Sequence, residues 1–237
     1  DAATGRRHLS FWRGELAAAA AGAPTTPVGR ALHEVIERFG VPTQSLSDLI
    51  DGVATDLDGG GFADERDLRR YCYCVASAVG LACLPVLGAT GGGAERFAVS
   101  LGHALQRTNI LRDLRGDAEE GRVYVPRTWL GEFGIDPAWL RGDGPAEVYG
   151  LNGPLGRLCA RLVADAERGF ADAHAALRAL PFAHRRALVP ARIMGAVYEA
   201  LLVRLRRRGG DLRGPRIRVP KARKLWLMTA VLAGLRP

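Results

Sequence analysis

Gln106, Asn109, Asp113 and Asp117 lie within the segment LGHALQRTNILRDLRGDAEEGRVYVP, residues 101–126. At about 100° per residue on a helix, the four fall in one narrow stripe. Leu101, Ala104, Leu105, Leu111 and Leu114 occupy the other sides. A polar stripe on a helix that is apolar elsewhere meets either water or a polar cargo. Asp113 and Asp117 stand about one turn apart, and like charges at that spacing destabilise a helix by roughly a few tenths of a kcal/mol. A divalent cation reverses the sign of that interaction. Oxygen ligands on one face, with room left for water and phosphate, suit Mg²⁺. The commoner reading of such an acidic pair is a solvated face. Against it stand Arg112, Arg115 and Arg122, cations of the kind a diphosphate site needs. The stripe is therefore the candidate active site.

Helices must carry it. Ala and Leu dominate, aromatics make up only 7% and β-branched alternation is scarce, so packed helices are favoured over sheets. The 237 residues, 48% hydrophobic, are enough for a sizeable core. Helices are read over 6–21, 28–39 and from a Ser45 or Ser47 cap to about Leu57. Asp64 caps a helix over 65–87, which Pro85 kinks or ends. The stripe helix spans 94–120, stopped by Gly121 and Pro126. After a short helical piece, 138–153 reads as loop and turn. Further helices are read over 155–180, 190–208 and 221–235, with a break at 181–186, a loop at 209–215 and an extended piece at 217–219. The small-residue run Ala76, Ser77, Ala78, Gly80 and Ala82 permits either close helix contact or a groove for a chain-like apolar ligand. Tyr71, among apolar neighbours, needs a partner for its hydroxyl.

Charge and cysteine usage narrow the classes. The net charge of +8 is concentrated between Arg204 and Lys224, where ten basic residues face the single acid Asp211. Such a run suits a polyanionic substrate, an anionic membrane surface or simple solvation. No recognition-helix or RNA-binding signature accompanies it, which disfavours nucleic acid. No glycine loop follows a strand, which disfavours a dinucleotide fold. Cys72, Cys74, Cys83 and Cys159 form no C-x-x-C pair and read as small buried hydrophobes in a reducing compartment. No signal peptide is read, and the expected location is cytoplasmic, with peripheral contact at the inner face of the membrane. The apolar tail 225–235 would rise about 16 Å as a helix, too short to span a bilayer core of about 30 Å.

On these residues the chain resembles the squalene/phytoene synthase family, most closely its bacterial presqualene diphosphate synthase branch. The carrying segments are LSDLIDGVATDL (46–57), YCYCVASAVG (71–80), QRTNILRDLRGDAEEGRVYVP (106–126), PARIMGAVY (190–198) and RIRVPKARKL (216–225). The resemblance implies an all-α isoprenoid (terpenoid) synthase-like bundle around a central cavity. It implies two farnesyl diphosphates condensed head to head, with Mg²⁺ bridging diphosphates and aspartates. By position, Asn109, Asp113 and Asp117 match the second metal-binding motif, and Gln106 faces the same cavity. Arg112, Tyr198 and Arg216 match diphosphate-contacting positions. Tyr71 matches a tyrosine near the reacting carbons, and Val75, Ala76 and Gly80 match the tunnel wall. Asp51 and Asp56 belong to a family-like segment, with a structural role expected for at least one.

Two departures qualify the expectation. The family's second motif usually reads D-x-x-E-D, and here Gly116 replaces the glutamate. The chain also starts at Asp1, in what resembles sequence just after the family's first aspartate-rich helix. A single domain lacking its N-terminal helices is expected, with activity impaired in this form. Phytoene, dehydrosqualene or squalene formation are the alternatives within the family. Completion to squalene needs a reductant such as NADPH, for which no binding signature is present. A non-catalytic member that binds a partner or lipid is the alternative outside catalysis.

Overall fold

A computed structural model describes residues 2–59 and 61–235; Asp1, where the resemblance puts sequence just after the first aspartate-rich helix, lies outside them. Eleven α-helices are present among the described residues: α1 (Ala2–Ala20), α2 (Pro27–Phe39), α3 (Thr43–Leu57), α4 (Glu65–Cys72), α5 (Ala78–Leu87), α6 (Gly92–Glu119), α7 (Arg127–Phe133), α8 (Pro154–Arg178), α9 (Phe182–Ala187), α10 (Val189–Arg208) and α11 (Lys221–Leu232). No strand occurs among the described residues, so the all-α reading is borne out.

α6 runs through the middle. It packs most extensively on α8, and also on α5, α10 and the turn that joins α4 to α5. Its burial on nearly every side explains why a single polar stripe stands out on it. The C-terminal stop is built as expected: Gly121 adopts φ 80°, its N–H bonds Ala118 O at 3.1 Å, and Arg122 N–H bonds Asp117 O at 2.7 Å. Asp64 caps α4, accepting from the N–H groups of Arg66 and Asp67.

Several boundaries differ. Pro42, not a serine, precedes α3, and Ser45 is a buried residue inside it. Pro85 neither kinks off nor ends α5, which continues to Leu87 and stops at Gly88 with φ 81°. Pro85 costs the ladder one donor, toward the Leu81 carbonyl, yet the helix runs two residues past it. The expected break at 181–186 contains the short helix α9, and 138–153 holds two 3₁₀ turns, Pro137–Arg141 and Ala146–Val148. α1 begins four residues earlier than read, and α11 ends at Leu232. Cys72, Cys74 and Cys159 are buried, but Cys83 is exposed.

The 65–87 helix is interrupted by a π turn, Tyr73–Ser77. Glycines on both sides let neighbours press against it. A Cβ on Gly102 of α6 would sit 2.6 Å from the Ser77 backbone, and one on Gly52 of α3 would sit 2.6 Å from Val75 Cγ1. Ser77 is fully buried, and its hydroxyl donates to Val99 O at 2.9 Å. The small residues of this segment therefore serve close helix contact at Ser77, and Gly80 likewise faces Ala98.

At the α1–α2 turn, the buried Glu15 carboxylate accepts from the backbone N–H and hydroxyl of both Thr25 and Thr26. Thr26 Oγ1 in turn accepts from Gly29 N–H and caps α2. The Thr25 hydroxyl, and then the Thr26 and remaining Thr25 donors, outweigh burial and hold Glu15 down at about 2.

Two outcomes follow. Gly102→Ala destabilises by about 1–3 kcal/mol in urea denaturation, whereas Gly116→Ala, with nothing within 4 Å of its Cβ position, does not. The depressed Glu15 value means its stabilisation is fully present above pH 4.5 and lost as pH falls toward about 2. Denaturation midpoints of Glu15→Gln should therefore lie below wild type at neutral pH, the gap closing across that window.

Candidate active site

The polar stripe of α6 emerges at its C-terminal turns, and its carboxylates are met by arginines from three directions. Asp113 accepts a two-pronged contact from Arg216, Nε to Oδ1 at 2.7 Å and Nη2 to Oδ2 at 2.9 Å. Arg112 reaches the same carboxylate through Nε at 3.0 and 3.1 Å and through Nη2 at 2.5 Å. The Tyr198 side chain, on α10, lies close enough to Arg112 to favour its charged form. Four of the residues singled out by sequence thus form one network, although Arg216 lies 103 residues from Asp113. Burial works against ionised Asp113, but Arg112 and Arg216 outweigh it and hold the carboxyl below its usual range.

Asp117 is less well served. Its one arginine contact, Arg122, is at 3.4 Å. Burial, then the charge of Asp113, push its carboxyl above the usual value against the pull of Arg122. Asp113 and Asp117 open onto a cavity of about 600 Å³ that also takes in Arg112, Arg122, Arg208 and Arg216. Arg115, Glu119 and Glu120 also line it, so both signs of charge meet there.

Gln106 and Asn109 stand N-terminal to it on α6 and do not line it. Asn109 Nδ2 donates to Gln106 Oε1 at 3.3 Å, while Asn109 Oδ1 is buried without a hydrogen-bond partner. A buried acceptor left unpaired costs about 1–3 kcal/mol, so this oxygen is suited to a cation. The donor set Asn109, Asp113 and Asp117 has hard-oxygen character, which fits Mg²⁺. Among the described residues no group of three His, Cys, Asp or Glu side chains is gathered for a metal. Gly116 leaves open space where the family motif has a carboxylate.

Tyr71 sits elsewhere. Its hydroxyl donates to Asp56 Oδ1 at 2.8 Å, as does that of Tyr124. The two rings stack at 5.1 Å, with Phe62 alongside. Burial, then the hydrogen bond and charge of Asp56, push Tyr71 far above the ordinary phenol value, and the same causes take Tyr124 to about 12. Tyr71 borders a separate cavity of about 390 Å³ with Asp51, Thr55 and Arg70. Asp56 is thus the structural member of its pair, whereas Asp51 makes an exposed ion pair with Arg13 at 2.7 Å. Val75 packs against Gly52, Gly80 packs against Ala98, and Ala76 is half-buried.

Sequence reading missed Tyr124 and Arg107. Tyr124 follows the α6 stop in the quoted segment, but nothing local reveals its shared acceptor. Arg107 is almost fully buried between Asp165, at 3.3 Å, and the Trp129 ring, 5.6 Å away. Only its place on the apolar side of α6 could have flagged it.

Comparison with known proteins fits this arrangement. The family model described as squalene/phytoene synthase matches residues 1–223. The chain is 35% identical over 207 residues to the phytoene synthase of Mycobacterium tuberculosis, covering 87% of this chain and 67% of that one. It is 35% identical over 228 residues to the presqualene diphosphate synthase of Zymomonas mobilis, covering 94% and 73%. Among solved structures, a ligand complex of a dehydrosqualene synthase superposes with TM-score 0.81 at 29% identity, covering 99% of this chain and 80% of that one. Squalene synthase HpnC from Alicyclobacillus acidocaldarius gives 0.72 at 30%, covering 84% and 72%.

The shared acceptor generates a spectroscopic outcome. Asp56→Asn keeps an oxygen at the site but removes the charge that raises both phenols. Tyrosinate absorbance in an alkaline titration should then appear at lower pH for two residues. An unchanged titration curve would show that Asp56 does not hold the pair.

Proposed function

The chain belongs to the squalene/phytoene synthase family, and we propose that it condenses two farnesyl diphosphates head to head to presqualene diphosphate. Family members are prenyltransferases, which supports an enzyme of that class; the farnesyl chain length and the stop at presqualene diphosphate are proposed. One observation carries it: the convergence of Arg112 and Arg216 on the single carboxylate of Asp113, beside the cavity that Asp117 and Arg122 share.

In the substrate-free protein Asp113 serves as the arginines' anion. A diphosphate carries more charge and matches two guanidinium forks better. It draws Arg112 and Arg216 toward itself and leaves the Asp113 oxygens free. Asn109, Asp113 and Asp117 would then hold Mg²⁺, which when bound neutralises the leaving diphosphate. Diphosphate and metal therefore help each other bind, because the first removes the competitors of the second. Tyr198 steadies Arg112 from α10.

The C–O bond of the first substrate breaks, with both electrons leaving on diphosphate. The allylic cation is attacked by the double bond of the second substrate. Loss of a proton from the carbon that carried the leaving group closes the cyclopropane. Tyr71, protonated and tied to Asp56, is not placed to take that proton. Gln106, Val75 and Ala76 would border the apolar chains of the substrates outside the Asp113 cavity, where excluded water cannot quench the cation, whereas Gly80 is taken up by contact with Ala98.

The test is turnover with farnesyl diphosphate and Mg²⁺, without NADPH, products being identified by mass after phosphatase treatment. Presqualene alcohol is expected, and Asp117→Asn should lower kcat by roughly 100-fold or more. Phytoene from geranylgeranyl diphosphate alone would move the protein to the activity named for its mycobacterial relative. No diphosphate release with either substrate, from this chain or from one extended upstream, would leave a binding protein.

A further inference from the structure

The outer face of α11 is apolar where an ordinary surface helix is polar. Leu227, Ala230 and Val231 turn inward and are buried. At about 100° per residue, Leu225, Trp226, Thr229 and Leu232 fall on the opposite side. Leu225 is 59% exposed, Trp226 49% and Leu232 61%. Leu235 follows at 78%, and Phe182 of α9 at 71%. A cavity of about 670 Å³ lined by Leu232, Leu235, Phe182, Arg178, Arg185 and Arg186 joins the two helices into one patch. Exposed apolar area on this scale marks an interaction surface.

Charge identifies the partner. The two segments that build the patch, 173–198 and 212–237, contain no Asp or Glu. They bring Arg178, Arg185 and Arg186 to one end and Lys221, Arg223 and Lys224 to the other. Arg223 lies over the Trp226 ring, 4.3 Å from its centroid. An apolar helix face bordered mainly by cations, with Glu167 and Glu199 entering only at the Arg223 end and a tryptophan at the margin, is the pattern of a helix lying in a membrane interface. A protein partner would need an acidic apolar groove, whereas anionic lipid supplies both properties in a single surface.

We propose that α11 and the Phe182 end of α9 dock the protein flat on a bilayer rich in anionic lipid. Leu225, Trp226, Leu232, Leu235 and Phe182 enter the acyl boundary, and the six cations meet the headgroups. The contact is peripheral: the 12-residue α11 is too short to span. The one described stretch apolar and long enough to cross, Glu65–Leu87, is interrupted by its π turn and packed on α3 and α6. The proposal is independent of the reaction assigned above.

Vesicles of phosphatidylcholine alone, or mixed with phosphatidylglycerol, would be sedimented with the full chain at low and high salt. Binding is expected only to the mixed vesicles and should weaken with salt. Lys221→Gln/Lys224→Gln should weaken it roughly 30-fold, and Leu225→Ser/Leu232→Ser should abolish it with unchanged circular dichroism. Brominated lipid should quench Trp226 emission, and Trp226→Phe should lose that quenching. Equal binding to both vesicle types, binding to neither, or wild-type binding by the serine variant would overturn the proposal. So would a dimer in sedimentation velocity that the serine variant dissolves, since a second copy would then be the occupant.

Discussion

The last turns of α6 crowd four carboxylates, Asp113, Asp117, Glu119 and Glu120, onto the negative end of a helix dipole. That arrangement is unfavourable without cations, and much of the surrounding structure supplies them. Arg112 and Arg216 meet Asp113, Arg122 meets Asp117 and Glu120, and Arg115 pairs with Glu119 at 2.6 Å. Arg115 also donates to Arg213 O at 3.1 Å. With Arg216, this ties the segment between α10 and α11 to α6 by two contacts. These contacts help to fix that segment, which is also anchored by the buried Leu212 and Val219.

Such a helix end can be held in place only if α6 itself is fixed. Close backbone approach does this. A Cβ on Gly169 of α8 would lie 3.1 Å from Ala104 Cβ, and one on Gly80 of α5 would lie 3.3 Å from Ala98 Cβ. Gly102 admits the π turn on another side. Small residues on several faces of α6 let it sit in a ring of helices with little freedom to slide. Interiors packed at this density transmit strain and do not absorb it, so the acidic face keeps a defined position relative to Tyr198 on α10.

What could be read from sequence divides along this line. The all-α class, the α6 stripe, the Gly121 stop and the Asp64 cap depend on residues close in the chain, and all were readable. Ser45 resembled a cap because serine is a good one, yet its place inside α3 is set by burial against neighbours. Pro85 resembled a stop because its position relative to the end of α5 cannot be judged from local sequence. Cys83 was misplaced because interior and exterior positions alternate within a segment that is small and apolar throughout. The π turn leaves no mark in composition. Arg216 was placed at the site only through resemblance, and its partner Asp113, 103 residues away, was not foreseen as such.

The two aspartates of the stripe, equivalent by spacing, are not equivalent by environment. Asp113 is saturated by two guanidinium groups and held in its charged form. Asp117 has one arginine contact, at 3.4 Å, and its charged form is disfavoured by burial and by Asp113. A cation approaching this face therefore gains most from Asp117 and from the unpaired oxygen of Asn109, displacing only the longer Arg122 contact. Asp113 joins only when its arginines have another anion to hold. The order of engagement is thus a consequence of where the arginines rest. A helix carrying the same stripe with no Arg112 and Arg216 would offer both aspartates at once and would lose the link between anion and metal.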